Sequence, residues 1–443
     1  MMTMKKIIKA IRLFRPLMLL PVCGLLQATP LKAQSKVTLF QCYEWAYAHY
    51  PEAGKFGLIA EAGRLEAENA GRRWLPQLSV SGKASYQSDV TKLPFDEEQL
   101  SSLFPGISIP TMSRDQYQVV AEVYQSLWDG GAARSARSLA EATAGAGKEE
   151  LSSRLYQLEN QVNRLFFGCL MQKELLEQNR LLMQELEVNI ERVANRMKNG
   201  MANASDKETL EVELLHAGQK RIELESAEAA CRQLLALLVG RPEVERAELQ
   251  APAFNSGALS DEIQRPELQA LAARERVVDV EEQHIHAALT PQLGVFFQGG
   301  YGRPGLNMLD DDFSPFYVAG IRLSWNIGRF YTFGNDKRRM RNRRESIALD
   351  RETFLFNTRM QLATYDRELQ KFRKLMASDE EVIRLRSSIK RAAEVKMENG
   401  VIAAADLVRE INAEDMARQA ASIHRIQYLE ALYNYMYTTN NHE

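Results

Sequence analysis

Trp74-Leu75-Pro76-Gln77-Leu78-Ser79-Val80 returns as Leu289-Thr290-Pro291-Gln292-Leu293-Gly294-Val295, 215 residues further along the chain. Two more echoes keep the same order. Ser126-Leu127-Trp128-Asp129-Gly130 returns as Ser324-Trp325-Asn326-Ile327-Gly328, and Asn199-Gly200 followed by Asp206 returns as Asn399-Gly400 followed by Asp406, the latter at an offset of 200. A period this long marks a duplicated half-protein and not a short-repeat solenoid, so one structural explanation must serve both halves. Residues 34–240 read as the first structural repeat and 241–443 as the second.

Outward from the Pro-Gln-Leu phrase the pattern is that of strands. Leu78, Val80, Gly82, Ala84 and Tyr86 alternate with Ser79, Ser81, Lys83 and Ser85 in a strand expected at about 77–88, one face apolar and one polar. A second strand at about 116–128 sets Tyr117, Val119, Ala121, Val123 and Leu127 opposite Gln118, Glu122 and Ser126. In the second repeat, strands are expected at about 292–302 and 316–327. Leu293, Val295, Phe297 and Tyr301 form one apolar face; Tyr317, Ala319, Ile321, Leu323 and Trp325 form the other, opposite Arg322, Ser324 and Asn326. Each strand has about the ten residues that a tilted transmembrane β-strand needs, with aromatics near the ends. The Pro-, Ser- and Asp-rich connections at 89–115 and 303–315 read as solvent-exposed loops.

Between these pairs the period changes. Residues 131–198 contain no proline and carry apolar residues at steps of four and three, as in Leu151, Leu155, Leu158, Val162 and Leu165, then Leu186, Ile190, Val193 and Met197. An unbroken helix here would approach roughly 100 Å, too long for a compact domain. Residues 205–239 predict a second helix, and the pair recurs at about 336–397 and 406–437. The Asn-Gly pairs lie between helical flanks, so they predict helix stops and not β-hairpins. Ser205 and Glu208 have the spacing of a capping box that restarts the chain. Each repeat is therefore expected to hold a helical hairpin, at about 131–240 and 336–437.

Composition bounds the rest. The 443 residues carry a net charge of −2, which offers no electrostatic case for a nucleic-acid partner. Residues 1–33 read as a signal peptide, with Lys5, Lys6, Lys9, Arg12 and Arg15 ahead of a short apolar run at 17–26 and small residues near Ala33. Leu20-Pro21-Val22-Cys23 has the length of a lipidation box, but the residue before the cysteine is not small and the apolar region ahead of it is very short. Cys42, Cys169 and Cys231 are widely spaced and read as small buried side chains, neither a disulfide framework nor a metal set. An exported chain with no other membrane-length apolar stretch is periplasmic, extracellular, or crosses a membrane as strands.

Four amphipathic strands cannot close a barrel, because open edges are excluded from hydrocarbon and bacterial barrels begin at eight strands. The chain must then share its barrel with copies of itself. Two copies give eight strands and a filled interior; three give twelve and room for a channel. The polar faces, with Ser79, Ser81, Lys83, Ser85, Gln118, Glu122, Ser126, Arg322 and Ser324 as lumen-facing candidates, favour the wetter of the two.

Taken together, the duplicated Pro-Gln-Leu phrase, the Trp128-Asp129-Gly130-Gly131 exit of the second strand and the Asn-Gly turns followed by Asp resemble the TolC-like outer-membrane efflux proteins. The resemblance covers essentially the whole mature chain. It implies an α+β membrane protein: a homotrimer closing a 12-stranded β-barrel among outer-membrane lipids, continued by an α-helical periplasmic tunnel. It also implies a periplasmic adaptor docking near the hairpin tips and an inner-membrane transporter that supplies the energy. On this reading the chain is not an enzyme and needs no cofactor or metal; it is the exit duct of a tripartite efflux pump. A conduit for type I protein secretion would use the same architecture. The rival of another class is a non-conducting periplasmic coiled-coil scaffold.

In such a trimer Asp406 matches the place of an acidic residue at the periplasmic constriction, where three copies would form an anionic ring. The alternative is a helix-start aspartate held by backbone N–H groups and the dipole, a role that suits its counterpart Asp206 better. Family members often place a second acid three residues on, but here that residue is Arg409. A contact between Asp406 and Arg409 is thus a second candidate lock. Adaptor-contact candidates at the tips are Asn199, Gly200 and Met201 with Asn399, Gly400 and Val401; ordinary packing of the hairpin ends is the alternative for Met201 and Val401. His284 and His286, two apart on a helix, point in different directions and predict no metal site. The basic run Lys337, Arg338, Arg339, Arg341, Arg343 and Arg344 could meet lipid headgroups or line a tunnel mouth, though a solvated helix face explains it more simply. No phosphate loop, nucleophile elbow or zinc-hydrolase motif is present.

Overall fold

The computed structural model describes residues 36–90, 113–254, 259–308 and 310–441. The expected signal peptide, Cys23 and most of the 89–115 loop lie outside the described residues. Among the described residues, seven α-helices and six strands follow in the order β1 (Lys36–Val37), α1 (Leu39–His49), α2 (Lys55–Gly71), β2 (Gln77–Tyr86), β3 (Asp115–Trp128), α3 (Ala132–Lys198), α4 (Ala204–Val239), β4 (Glu248–Leu249), α5 (Pro266–Ala287), β5 (Gln292–Arg303), β6 (Ser314–Ser324), α6 (Arg329–Glu398) and α7 (Ala404–Thr439). The 67-residue α3 and the 70-residue α6 each fold back on a 36-residue partner, α4 and α7. Among the described residues, no helix is long and apolar enough to cross a membrane.

Both hairpins turn by the same backbone device. Gly200 and Gly400 take φ of +70° and +71°, a region that costs a side chain free energy. Met201 N–H then donates to Arg196 C=O and Val401 N–H to Lys396 C=O, at 2.9 and 2.8 Å, which satisfies carbonyls the helix ends would leave bare. The restart differs from expectation. The capping box forms between Asn203 and Asp206, two residues before the Ser205–Glu208 spacing, because Asn203 is the residue in extended backbone where the chain turns into α4.

The strands β2, β3, β5 and β6 form one antiparallel four-stranded sheet in that order, so the two repeats join through β3 and β5. A bulge at Ser126/Trp128 takes Leu127 out of the ladder and gives its place opposite Leu293 to Trp128. The last strand is shorter at its end than expected: β6 stops at Ser324, and Trp325 and Asn326 belong to the turn into α6. That helix begins at Arg329 rather than near Asp336, because no proline or cap residue delays it after Gly328. A separate two-stranded parallel pair, β1 with β4, ties the start of the described chain to the segment after the first hairpin.

Two larger cores and a smaller one around Leu151, Leu155 and Leu158 hold the helices among the described residues. Phe166, Phe167, Leu235, Leu429 and Leu432 bury themselves with α1 where the two hairpins meet β1 and β4. Nearer the tips, Leu186, Val193, Leu210, Leu407 and Ile411 form a second cluster drawn from both hairpins. The tips are thus packed against one another and not merely parallel.

Candidate gate and channel wall

The register of the sheet sets its polar candidates on one face, which also carries Val120, Tyr124, Phe296, Phe316 and Val318. Opposite partners share a face, and Ser79 stands opposite Glu122, Lys83 opposite Gln118, Glu122 opposite Gln298, and Gly294 opposite both Ser126 and Arg322. Ser81, Ser85 and Ser324 fall on that same side by alternation. All nine polar candidates therefore share one face. The other carries Leu78, Val80, Tyr117, Val119, Phe297, Tyr317, Ile321 and Leu323, all exposed in the protomer. Gln125 interrupts it near one end, where its amide donates to the Trp74 carbonyl, and the paired Asp115 and Arg303 interrupt it at the other.

On the polar face Arg322 and Glu122 are partnered. Arg322 reaches Glu122 at 2.9 Å, Gln298 donates to the same carboxylate, and the guanidinium lies over the Phe296 and Tyr124 rings. Gly294 leaves the space that Tyr124 fills. The apolar face has aromatics at both ends: Tyr86, Tyr117, Tyr301 and Phe313 at one, Trp74, Trp128 and Trp325 at the other. Trp325 uses its indole N–H on Leu289 C=O at 2.9 Å.

At the tips, the duplicated aspartates do different things. Asp206 accepts from Asn203 N–H with one oxygen and from Ala404 N–H with the other, each at 3.2 Å, so it caps the start of both α4 and α7. Ala403, at the N-cap of α7, has no side chain able to do this. Arg196 makes the matching contact at the other pole: its guanidinium donates to Met397 C=O, the end of α6, and to Met201 C=O at 3.1 Å. An anion thus sits at a helix start and a cation at helix ends, as the dipoles favour. Asp406 caps nothing. Its carboxylate lies half-exposed, 3.5 Å from Arg409 of the same protomer, and Arg409 is 70% exposed. Met201 and Val401 are 59% and 69% exposed at the turns themselves.

Above the tips lies a charged cluster that sequence reading missed. Lys390 of α6 reaches Glu185 of α3 at 2.6 Å and Glu414 of α7 at 2.5 Å; Arg418 meets Glu414 at 2.6 Å and Ser387 donates to it as well. Burial opposes the Glu414 charge, yet the hydrogen bonds from Lys390, Ser387 and Arg418 outweigh it and hold the carboxyl down at about 2. Next to it, Asp415 has only Gln419 as a donor, and burial pushes its carboxyl up to about 6. Asn412 further links α7 to Glu213 of α4 at 3.4 Å, and Ser422 donates to Glu174 of α3 at 2.9 Å. The only sequence signal was a Lys and a Glu standing at positions where the helical stripe asks for apolar residues.

Elsewhere the expectations resolve into packing. His284 meets Ser135 of α3 at 2.9 Å, while His286 sets its ring against Phe333 of α6, so the two diverge. Among the described residues no group of three or more His, Cys, Asp or Glu is placed to hold a metal ion. The basic run is not a uniformly solvated face: Arg343 pairs with Glu281, and Arg344 with Asp279 and Glu282, because α5 lays an acidic edge against α6.

No protein-family model matches the sequence, and no curated protein does. Solved structures do. The chain is similar to the outer membrane protein VceC of Vibrio cholerae, at 13% identity over 90% of this chain and 95% of that one, with a TM-score of 0.66. It is similar to the CmeC outer membrane channel of Campylobacter jejuni, at 11% identity over 96% and 94% of the two chains, with a TM-score of 0.64. The open state of the MtrE outer membrane channel of Neisseria gonorrhoeae aligns at 15% identity over 91% and 88%, with a TM-score of 0.63. The protomer has the TolC-like fold, mostly helical with a small sheet, along nearly its whole length.

Proposed function

We propose that this chain, which has the TolC-like fold, is an outer-membrane channel: the homotrimeric exit duct of a tripartite efflux pump. The observation that carries the reading is the sheet. Its register keeps one face apolar over its middle and sets Ser79, Lys83, Glu122, Gln298 and Arg322 on the other, and its edge strands β2 and β6 have no partner on their outer sides within the described residues. Open edges cannot stay unpaired in hydrocarbon, so closure by copies follows, and twelve strands leave a water-filled lumen lined by the Ser79-to-Ser324 face. The aromatic ends of the apolar face suit the two membrane interfaces. A scaffold without a pore would have no use for such a sheet.

Under this reading the helical hairpins continue the duct into the periplasm. A periplasmic adaptor docks near the tips, where Met201 and Val401 offer exposed apolar contacts, and an inner-membrane transporter supplies the energy. The closed state is held by the contacts between hairpins: Asp206 on Ala404, Arg196 on Met397, and Lys390 between Glu185 and Glu414. Opening separates the second hairpin from the first. Asp406, free of any cap, supplies the anionic ring at the narrowest point, with Arg409 partly offsetting its charge. Planar-bilayer recording on the purified protein tests the duct. Stepwise, cation-preferring currents are expected, with weaker cation preference in Asp406→Ala; silence from both proteins overturns the reading.

A further inference from the structure

Cys169 of α3 and Cys231 of α4, far apart in sequence, face each other across the first hairpin with their sulfurs 2.8 Å apart. Two unbonded sulfurs do not ordinarily rest so close. The surroundings keep the pair aligned. Cys231 Sγ lies 3.2 Å from the Leu165 carbonyl oxygen, one turn before Cys169, which holds it over the backbone of α3. Gly168 leaves the adjoining space open, since a Cβ there would come within 3.4 Å of the same sulfur. Cys169 is buried while Cys231 is only partly so, which makes Cys231 the more accessible of the two. The hydrogen bond from Cys169 draws the Cys231 thiol below its ordinary range, which favours the nucleophilic thiolate on the more accessible side.

We propose that Cys169 and Cys231 form a disulfide by exchange with a disulfide-bearing oxidant, and that the bond clamps α3 to α4. The Cys231 thiolate attacks one sulfur of the oxidant and expels its first thiolate, which takes up the proton Cys231 gave. The mixed disulfide is then resolved by Cys169, which loses its proton, bonds to Cys231 Sγ and expels the second thiolate. Two cysteine thiols are oxidised by two electrons and one disulfide is reduced to two thiols. The clamp belongs to one repeat only. At the 200-residue offset the second hairpin has Leu369 and Ala431, both packed in the core, so the hairpin that carries Asp406 has no covalent tie between its helices.

The test uses the full chain, folded, with oxidised glutathione as the probe, followed by denaturation, alkylation and peptide mass mapping. A linked peptide joining Cys169 to Cys231 is expected, with Cys42 recovered alkylated. The cross-link should vanish in Cys231→Ala and persist in Cys42→Ala. Reductant should then lower the thermal midpoint of the oxidised wild type by several degrees and leave Cys231→Ala unmoved. Recovery of Cys169 and Cys231 as alkylated thiols after oxidation, or pairing of either with Cys42 at comparable yield, overturns the proposal. The assay needs neither a bilayer nor transport, so its failure leaves the channel reading untouched.

Discussion

The two hairpin tips share a backbone and divide the labour. Each ends its long helix on an Asn-Gly pair with glycine in the left-handed region, and each places an aspartate six residues after that glycine. Yet Asp206 spends both oxygens on helix starts, one of them in the other tip, whereas Asp406 faces outward beside Arg409. Duplication copied the turn, and the neighbours decided the role. Asp206 has its hydrogen-bond capacity used within the chain, and Asp406 has capacity left over.

The comparison breaks most severely at the cluster joining the hairpins. Lys390→Ala leaves Glu414 buried beside Glu185 without its main cation, and removal of one partner from a buried pair costs about 3–5 kcal/mol. Chemical denaturation should show a loss of that order, and bilayer recordings a higher open probability. A loss no larger than that of a surface pair would mean that the cluster does not hold the hairpins together.

Removal of the two aspartates should separate their roles. Asp206→Ala deletes a cap from two helices and is expected to cost about 1–2 kcal/mol, with faster hydrogen exchange at Asn203 and Ala404. Asp406→Ala gives up only an exposed pair, worth below about 1 kcal/mol, and should change ion preference rather than stability. Equal destabilisation by the two would erase the distinction drawn between the tips.

Asp415 carries the pH dependence. Its carboxyl sits at about 6, above the ordinary value of 3.8, so the folded protein holds a proton that the unfolded chain has already lost between those values. Stability therefore falls as pH rises from about 4 to about 6, by on the order of 3 kcal/mol. Glu414, held down near 2, acts oppositely: its contribution is full above its ordinary value of 4.5 and fades as pH drops from there toward 2. Asp415→Asn should flatten the slope between pH 4 and 6 while leaving the acid limb intact; an unchanged slope would assign it elsewhere.

The smallest expected effects test what the tips have in common. Gly200→Ala and Gly400→Ala meet no close neighbour, so each should cost only the left-handed backbone, about 1 kcal/mol, and by equal amounts. Markedly unequal values would show that the turns are not equivalent.

These contrasts also mark what a reader of the sequence can find. A period of two exposed the faces of the sheet, since Leu78 or Ser79 needs only its own strand to be classified. A period near 3.5 exposed the hairpins, and the Asn-Gly pairs their turns. What stayed hidden depends on partners far along the chain. Asp206 reaches Ala404 across 198 residues, Cys231 meets Cys169 across 62, and Lys390 joins three helices from two repeats. No local spacing encodes such meetings. The capping box is hidden for a nearer reason: Ser205-Glu208 and Asn203-Asp206 both satisfy the spacing, and only the backbone at Asn203 chooses between them.

The most direct test of the central claim, that the alternating sheet is the wall of a water-filled channel, is current block by a charged, membrane-impermeant thiol reagent in bilayer recordings of single-cysteine variants. Ser81→Cys should lose current on addition of the reagent, while Val80→Cys, its neighbour on the opposite face, should not. Block at both positions alike, or at Val80→Cys alone, would contradict the assignment of the faces.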